Sequence, residues 1–389
     1  MRKFLWLLVF SNSVAIYAQS AQETYRFSTD LLKQINADTT AWKHQVGATE
    51  LSFSSHFNHV LEIWDLNGVR KPKNVEQLRK NFLTYKKLPA KDFIVEQSKK
   101  TSIVIINEAH HIPYHRTFTK SLLTDLYKNG YRYLGLEALF DADINERKFA
   151  ITTSGYYTKE PEFGHLISEA LKIGFTLFSY EATEGKNGSE RENEQALNIK
   201  KFIENNPNGK VLIHCGYAHA FENEYQMWGK AMAGRLKEYT KMDPFTVDQT
   251  MFVEKHDPGN NHPFIELYQG NYPVVLVDQE GSVFNGENKS KQTDVVVIHP
   301  KTTYVNDRPS WLINDRVKYT VPNTKLNKQQ PLLIIAYRNQ EFSKDGIPAD
   351  LVEHVDNYKT SELYLYSGKY TIVIKNEKYE IIDQYTIEI

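Results

Sequence analysis

Hydrophobic positions change their spacing twice along this chain. From Glu23 to about Lys100 they recur with helical period: Leu31, Leu32 and Ile35 share one face, Val60, Leu61 and Trp64 another, and Val75 to Tyr85 forms a further helical stretch. The Arg70-Lys-Pro-Lys73 segment separates two of these stretches, and the whole predicts a helical N-terminal cap rather than an independent domain. From Thr101 short apolar runs alternate with amphipathic ones. Ile103 to Ile106, Tyr133 to Leu136, Phe175 to Tyr180 and Val211 to Cys215 predict strands, with a further strand near Phe245 to Val253. Between them lie helical patterns carrying Phe118, Leu122, Leu123 and Leu126, then Phe163, Leu166, Ile167 and Ala170, then Ala196, Ile199, Phe202 and Ile203. A fourth sets Trp228, Met232, Leu236 and Tyr239 three or four apart. Asn129-Gly130, Gly174 and Pro207-Asn-Gly209 stop the first three. Strands that are continuously apolar are buried on both faces, so the repeat predicts an α/β fold, a mostly parallel sheet with crossover helices.

The stretch Lys255 to Asp315 is rich in Asn and Pro, with short strands at Pro273 to Val277 and Asp294 to Ile298, and has the character of a binding loop or lid. Its Asn306 to Trp311 loop is expected to fold over the sheet edge and bring Arg308 and Trp311 to a substrate. After about Val317 the period becomes two, at Leu332 to Tyr337, Glu362 to Tyr366, Tyr370 to Lys375 and Tyr379 to Ile389. Ser367-Gly-Lys369 and Asn376-Glu-Lys378 are expected to close hairpins. The expected organisation is a leader over 1–18, the cap over 19–100, an α/β domain over 101–315 and a small C-terminal all-β, sandwich-like domain over 316–389.

Length and charge narrow the classes. A chain of 389 residues exceeds what one core usually holds. Lys and Arg (47) balance Asp and Glu (48), for a net charge of −1 without a long basic block, so nucleic acid is not the expected partner. Met1-Arg-Lys, a short apolar run and Ala18 before Gln19 have the form of a signal peptide cleaved after Ala18, which implies a secreted or periplasmic protein. No run approaches the ~20 apolar residues of a membrane span, so no transmembrane segment is expected. The single cysteine, Cys215, cannot form an internal disulfide and is expected as a small buried apolar side chain.

Four successive strands run out at ionisable residues: Glu108 with His110 and His111, then Glu137, then Glu181, then His219. Ligands of open α/β sheets bind beyond the carboxyl ends of the strands. One charged residue after a strand is ordinary; four in succession mark an active face. Two mechanisms fit. In the first, Glu108 or Glu137 orients His110 or His111 as general base towards water while His219 serves the leaving group. In the second, His110, Glu137 and His219 hold a divalent metal that acidifies bound water. The spacing is not H-E-x-x-H. Arg116, near the start of a helix whose N-terminus favours anions, is a candidate for binding a substrate carboxylate or oxyanion, with a surface ion pair as the alternative. Glu181 is a candidate for substrate binding or for orienting His219. His115 is expected to face solvent, His214 to be a core histidine bonded to backbone, and Tyr156, Tyr157 and His165 are candidates for a pocket wall.

Asn107-Glu-Ala-His110 and Gly216-Tyr-Ala-His219, with Glu137 after the intervening strand, resemble the paired G-x-x-H pattern of the superfamily that joins erythromycin esterase-like hydrolases, ChaN-like haem-binding lipoproteins and Tiki/TraB proteases. The likeness covers roughly Thr101 to Val253, and Arg191-Glu192 followed by Ala196 also resembles the segment before the second histidine. Asn107 stands where the family usually has Gly, and the doubled histidine leaves His110 and His111 open as the catalytic imidazole. The resemblance implies a hydrolase that cleaves an ester or amide of a small molecule or peptide with Glu/His-activated water. Its ChaN-like branch implies instead a haem- or iron-binding protein, for which 13 His and 24 Tyr are available as ligands. A third reading is a non-catalytic surface protein whose C-terminal β domain binds a partner.

Overall fold

The structure is a computed structural model that describes residues 23–287, 291–326, 330–355 and 360–389; the expected leader lies outside them. At its centre is a six-stranded sheet made of β1 (Ile103–Glu108), β2 (Tyr131–Leu136), β3 (Thr176–Ser179), β4 (Lys210–Gly216), β5 (Phe245–Asp248) and β6 (Val295–Val296). The spatial order is β6-β5-β1-β4-β2-β3, and every pairing is parallel. The crossovers are helices α1 (Pro113–Lys128), α2 (Pro161–Ile173), α3 (Gly188–Asn205) and α4 (Met232–Thr240).

Side chains alternate across each strand, which sorts the core into two layers. Val104 and Ile106 meet Leu122, Leu126, Leu166 and Ile167 from α1 and α2. Ile103, Ile105, Val211 and Ile213 meet Ala196, Ile199, Met232 and Leu236 from α3 and α4. Each such buried aliphatic side chain is worth roughly 1.5–3 kcal/mol, so the sheet is held from both sides. The path of the chain matters for function. After β1 it builds β2 and β3 on one side, returns to insert β4 beside β1, then crosses to add β5 and β6 on the other side. That reversal around β1 makes the carboxyl ends of β1 and β4 the switch point at which ligands of open α/β sheets bind.

Several expected elements are shorter or placed differently. The fifth strand ends at Asp248, where the Gln249 N–H turns to the Asn107 side chain (2.7 Å) instead of continuing the ladder. Trp228 is not on α4 but in the small hairpin Glu224–Tyr225/Gly229–Lys230 before it. The N-terminal helices do not form one cap. Leu31, Ile35, Ala48, Leu51, Val60 and Ile63 make their own small core, whereas Phe82 packs with Phe252 and Phe264, and Ile94 of the helix Ala90–Ser98 enters the main core. The strand Lys86–Pro89, which the helical period hid, pairs antiparallel with Val274–Val277.

The C-terminal part is built mainly of antiparallel strands, as the alternating pattern predicts, with one helical turn at Asn323–Leu326 and another at Phe342–Lys344. Asp350–His354, Leu332–Arg338, Lys369–Lys375 and Ile381–Glu388 form an antiparallel sheet in that order, and Val317–Thr320 pairs with Glu362–Leu365. Asn376-Glu-Lys378 does close a hairpin. Ser367-Gly-Lys369 does not: it carries the chain from the two-stranded sheet to the four-stranded one. The second face of the larger sheet is covered by Tyr25 and Phe27, so the N-terminal segment packs on the C-terminal unit. Among the described residues no helix is long and apolar enough to cross a membrane.

Candidate active site at the carboxyl ends of the sheet

Two buried polar networks, one on each face of the sheet, meet above Gly216. The first is built on Glu108, the last residue of β1 and only 1% exposed. Its parity along β1 places it on the α1/α2 face, where both carboxylate oxygens are taken. Arg116 of α1 donates from Nε (2.7 Å) and Nη2 (2.6 Å), and the His110 and His214 rings approach at 2.9 and 2.7 Å. Arg116 also donates to Glu160 (2.9 Å) and to the His110 carbonyl (3.0 Å). Burial pushes the Glu108 carboxyl up, but Arg116, His214 and His110 outweigh it and hold it well below the usual range. Burial raises Glu160 to about 7, against the pull of Arg116. Glu160 also caps α2, accepting from the Phe163 N–H at 2.9 Å.

The second network lies on the α3/α4 face. Glu137, just past β2, accepts from the Gly216 N–H and from Arg191 of α3 (2.8 Å). Arg191 is clamped by Glu181 through Nε and Nη2, both 2.9 Å, and Glu181 is held in turn by Gln195 (2.8 Å). His219 lies 2.7 Å through Nδ1 from Glu192, whose other oxygen accepts from the Met232 N–H (2.8 Å) at the start of α4. Its ring stacks on Trp228 with centroids 5.1 Å apart. His219 Nε2 is 3.4 Å from Glu137 and 3.0 Å from Arg191. These neighbours correspond to the two protonation states, since protonated Nε2 donates to the carboxylate and neutral Nε2 accepts from the guanidinium. Burial alone would lower the His219 pKa; Glu137 and Glu192 reverse that and push it up to about 9, so the protonated form prevails near neutral pH. Against burial, His219, His110 and Arg191 hold Glu137 well below the usual carboxylate range.

The networks join at His110. Its Nδ1 faces Glu108, so its proton is best placed there and Nε2 is left with the lone pair. The ring is stacked on Tyr157 (3.6 Å, 14°), and Nε2 lies over Gly216. A Cβ at Gly216 would stand 2.4 Å from His110 Nε2 and 3.1 Å from Glu137 Oε2, so only glycine leaves room for both. Tyr217 follows with a left-handed φ of 43°, a conformation costly for a non-glycine residue. Its carbonyl accepts from Asn107 (2.9 Å), which also donates to Asp248 (2.8 Å). The asparagine at the first motif therefore ties the ends of β1, β4 and β5 together.

Of the expected site residues, Glu108, His110, Glu137 and His219 come together, with Glu181 behind Arg191. His111 is turned away. It stacks on Trp64 (3.6 Å, 11°) and faces an apolar cavity under the N-terminal helices. Arg116 is neither a surface ion pair nor free for a substrate, because it is wholly buried and committed to Glu108 and Glu160. Arg308 and Trp311 are not delivered to the sheet edge. Arg308 bonds Asp350 and the Leu351 carbonyl (2.9 Å) of the C-terminal sheet, and Trp311 packs between Phe57 and Tyr114. His115 is buried, not solvent-facing, and accepts from the Ala109 N–H (3.0 Å). His214 bonds Glu108 rather than backbone, and His165 faces the C-terminal unit, 2.8 Å from the Ala349 carbonyl. Cys215 is buried, with its thiol pKa raised by burial.

The residues do not fit a resident metal. Among the described residues no three His, Cys, Asp or Glu side chains are grouped to hold one, and the Arg191 guanidinium already supplies positive charge between Glu137 and His219.

No family model matches the sequence, and no curated protein matches it. Among solved structures the chain is similar to the type III effector HopBA1, at 11% identity over 60% of this chain and 97% of that one, with a TM-score of 0.34. It is similar to RRSP, a MARTX toxin effector domain from Vibrio vulnificus, at 16% identity over 59% of this chain and 48% of that one, with a TM-score of 0.32. It is also similar to ChaN of Campylobacter jejuni, described with cofacial haem binding, at 12% identity over 57% of this chain and 95% of that one, with a TM-score of 0.33. At these values the likenesses assign no activity to the chain.

Proposed function

We propose that the chain is a hydrolase, extracytoplasmic if its leader acts as the sequence implies, that cleaves an ester or amide with water activated between His110 and His219. The observation behind this is a pair of imidazoles, each with Nδ1 facing its own buried carboxylate, Glu108 at 2.9 Å or Glu192 at 2.7 Å, with His219 Nε2 3.4 Å from Glu137 and His110 Nε2 beside Gly216, whose N–H Glu137 accepts. Groups of the same type set in unlike surroundings are how one site supplies both base and acid. His110, with its proton held towards Glu108, offers the Nε2 lone pair to a water molecule; Glu137, kept ionised, orients that water. His219, protonated up to about pH 9, donates its proton to the leaving group, and Arg191 opposes the charge that develops on the attacked carbonyl oxygen. Glu108, Arg116, Glu181 and Glu192 position these groups.

The test is turnover of an ester and peptide panel by the purified protein, with His110→Ala and His219→Ala as controls. Each variant is expected to lose at least a hundredfold in kcat/KM while keeping the circular dichroism of the parent. Variants that hydrolyse a confirmed substrate as fast as the parent would eliminate the mechanism.

A further inference from the structure

The second residue of the doubled histidine has no part in the cluster above. His111 faces a cavity between the helix Phe57–Asp65 and the chain after β5, walled by Phe57, Val60, Leu61, Phe252 and Trp311. About 50 Å3 of it admits the centre of a water-sized sphere. One sphere needs roughly 10–15 Å3 on that measure, so the space suits a single small ring. The lining is apolar except for a few groups, and two of these, His111 Nε2 and His299 Nδ1, are buried ring nitrogens without a hydrogen-bond partner.

The hydrogen-bond network fixes what each nitrogen wants. Gln249 donates its amide N–H to the Asn107 carbonyl (2.7 Å), since the flipped amide would set oxygen against oxygen. Its Oε1 is therefore the acceptor that faces His299 Nε2 at 3.0 Å, so Nε2 carries the proton and Nδ1 is a bare lone pair. Burial lowers the His299 pKa to about 3 and keeps the ring neutral. On His111, Nδ1 lies 3.2 Å from the Tyr217 hydroxyl. That hydroxyl is met by the His110 backbone N–H, and burial raises its pKa, so it keeps its proton and donates to Nδ1. His111 Nε2 is then an N–H donor. Besides the polar groups of Glu254, Thr302, Tyr114 and Tyr304, the cavity therefore has one unpartnered donor and one unpartnered acceptor.

We propose that this cavity binds a small hydroxylated aromatic molecule, a phenol in the simplest case. A hydroxyl both accepts and donates, which suits it to either nitrogen, and the ring takes the place of water against Phe57, Val60 and Trp311. An apolar ligand would leave both nitrogens unpaired.

The probes are phenol and toluene, titrated into the full protein and followed by calorimetry and by the fluorescence of Trp64 and Trp311. Phenol is expected to bind at least tenfold more tightly than toluene. His299→Phe should narrow the preference for phenol at least threefold, leaving the His111 N–H as its one partner, and Val60→Trp, which fills the cavity away from the His110 cluster, should abolish both. If Val60→Trp fails to fold, Leu61→Trp fills the same space from a half-buried position. Equal affinity for phenol and toluene in the parent, no binding of either, or phenol binding that survives the tryptophan variant would each overturn the proposal.

Discussion

Glu108→Gln preserves the shape of the residue on which the first network is built and removes its charge. In the parent the carboxylate meets four donors, two from Arg116 and one each from His110 and His214. Glutamine keeps one acceptor oxygen and turns the other position into an NH2 that faces two of those donors. Arg116 is completely buried, so after the change its charge is balanced by Glu160 alone. Removing one member of a buried ion pair typically costs ~3–5 kcal/mol. Glu160 offsets part of this, because with Glu108 neutral it no longer shares the guanidinium and ionises more readily. The net expectation is a loss of about 3 kcal/mol, read from urea denaturation followed by tryptophan fluorescence, and a fall in Tm on the order of 6–10 °C. Glu108→Leu with Arg116→Met, which removes both charges, should be more stable than Glu108→Gln, because the damage lies in the unpaired charge rather than in lost volume. A loss below about 1 kcal/mol in Glu108→Gln, or a double variant no better than the single, would refute this account of the network.

Two further outcomes concern the second network. The pKa of His219 stands at about 9 in the folded chain against an ordinary 6.5, so its contribution to stability is complete below about pH 6.5 and disappears as pH rises through about 9. The contribution is roughly 3 kcal/mol, and between pH 7.5 and 9.5, where Glu160 is already ionised, denaturation should show a downward slope that His219→Gln removes; parallel curves would contradict the assignment. Gly216→Ala has a permissive backbone, with φ of −90°, yet its methyl group would fall 2.3 Å from the His110 ring, which Glu108 and Tyr157 hold in place. A cost of ~1–3 kcal/mol is expected, with hydrolysis lost more completely than stability; an active alanine variant would show that the ring can move.

The sheet was legible because its physics is local and periodic. Continuous apolar runs ending in Glu108, Glu137 and His219 could only be buried strands, and the four residues that meet above Gly216 were named from strand ends alone. What could not be read was which side chains would answer them. His214 looks like a core histidine by its apolar neighbours, yet β1 and β4 pair Ile106 with His214, and this register places His214 on the face that Glu108 occupies. Parity along two paired strands would have found that contact; strand spacing alone does not supply the register. Arg191 and Glu192 stand out only through the motif resemblance, because two adjacent charged residues at a helix start usually belong to solvent. Arg308 and Trp311 were misplaced because the destination of a long loop depends on distant partners, here Asp350 and Phe57, and no pattern within the loop encodes them.

The distribution of protons in the site follows from counting charge on each face of the sheet. On the α1/α2 face two carboxylates, Glu108 and Glu160, compete for the single guanidinium of Arg116. Glu108 has the paired contact and two imidazoles as well, so it stays ionised, and the proton goes to Glu160, which titrates near 7. On the α3/α4 face Glu137 and Glu181 share the one guanidinium of Arg191, while Glu192 faces His219. There the shortage of positive charge is met by a base instead of an acid, and His219 holds a proton up to about pH 9. The same imbalance thus raises a carboxyl to about 7 on one face and an imidazole to about 9 on the other. Arg116 is wholly buried within its own network, whereas the Arg191 side chain beside His219 is 27% exposed, so the positive charge within reach of solvent lies on the α3/α4 face.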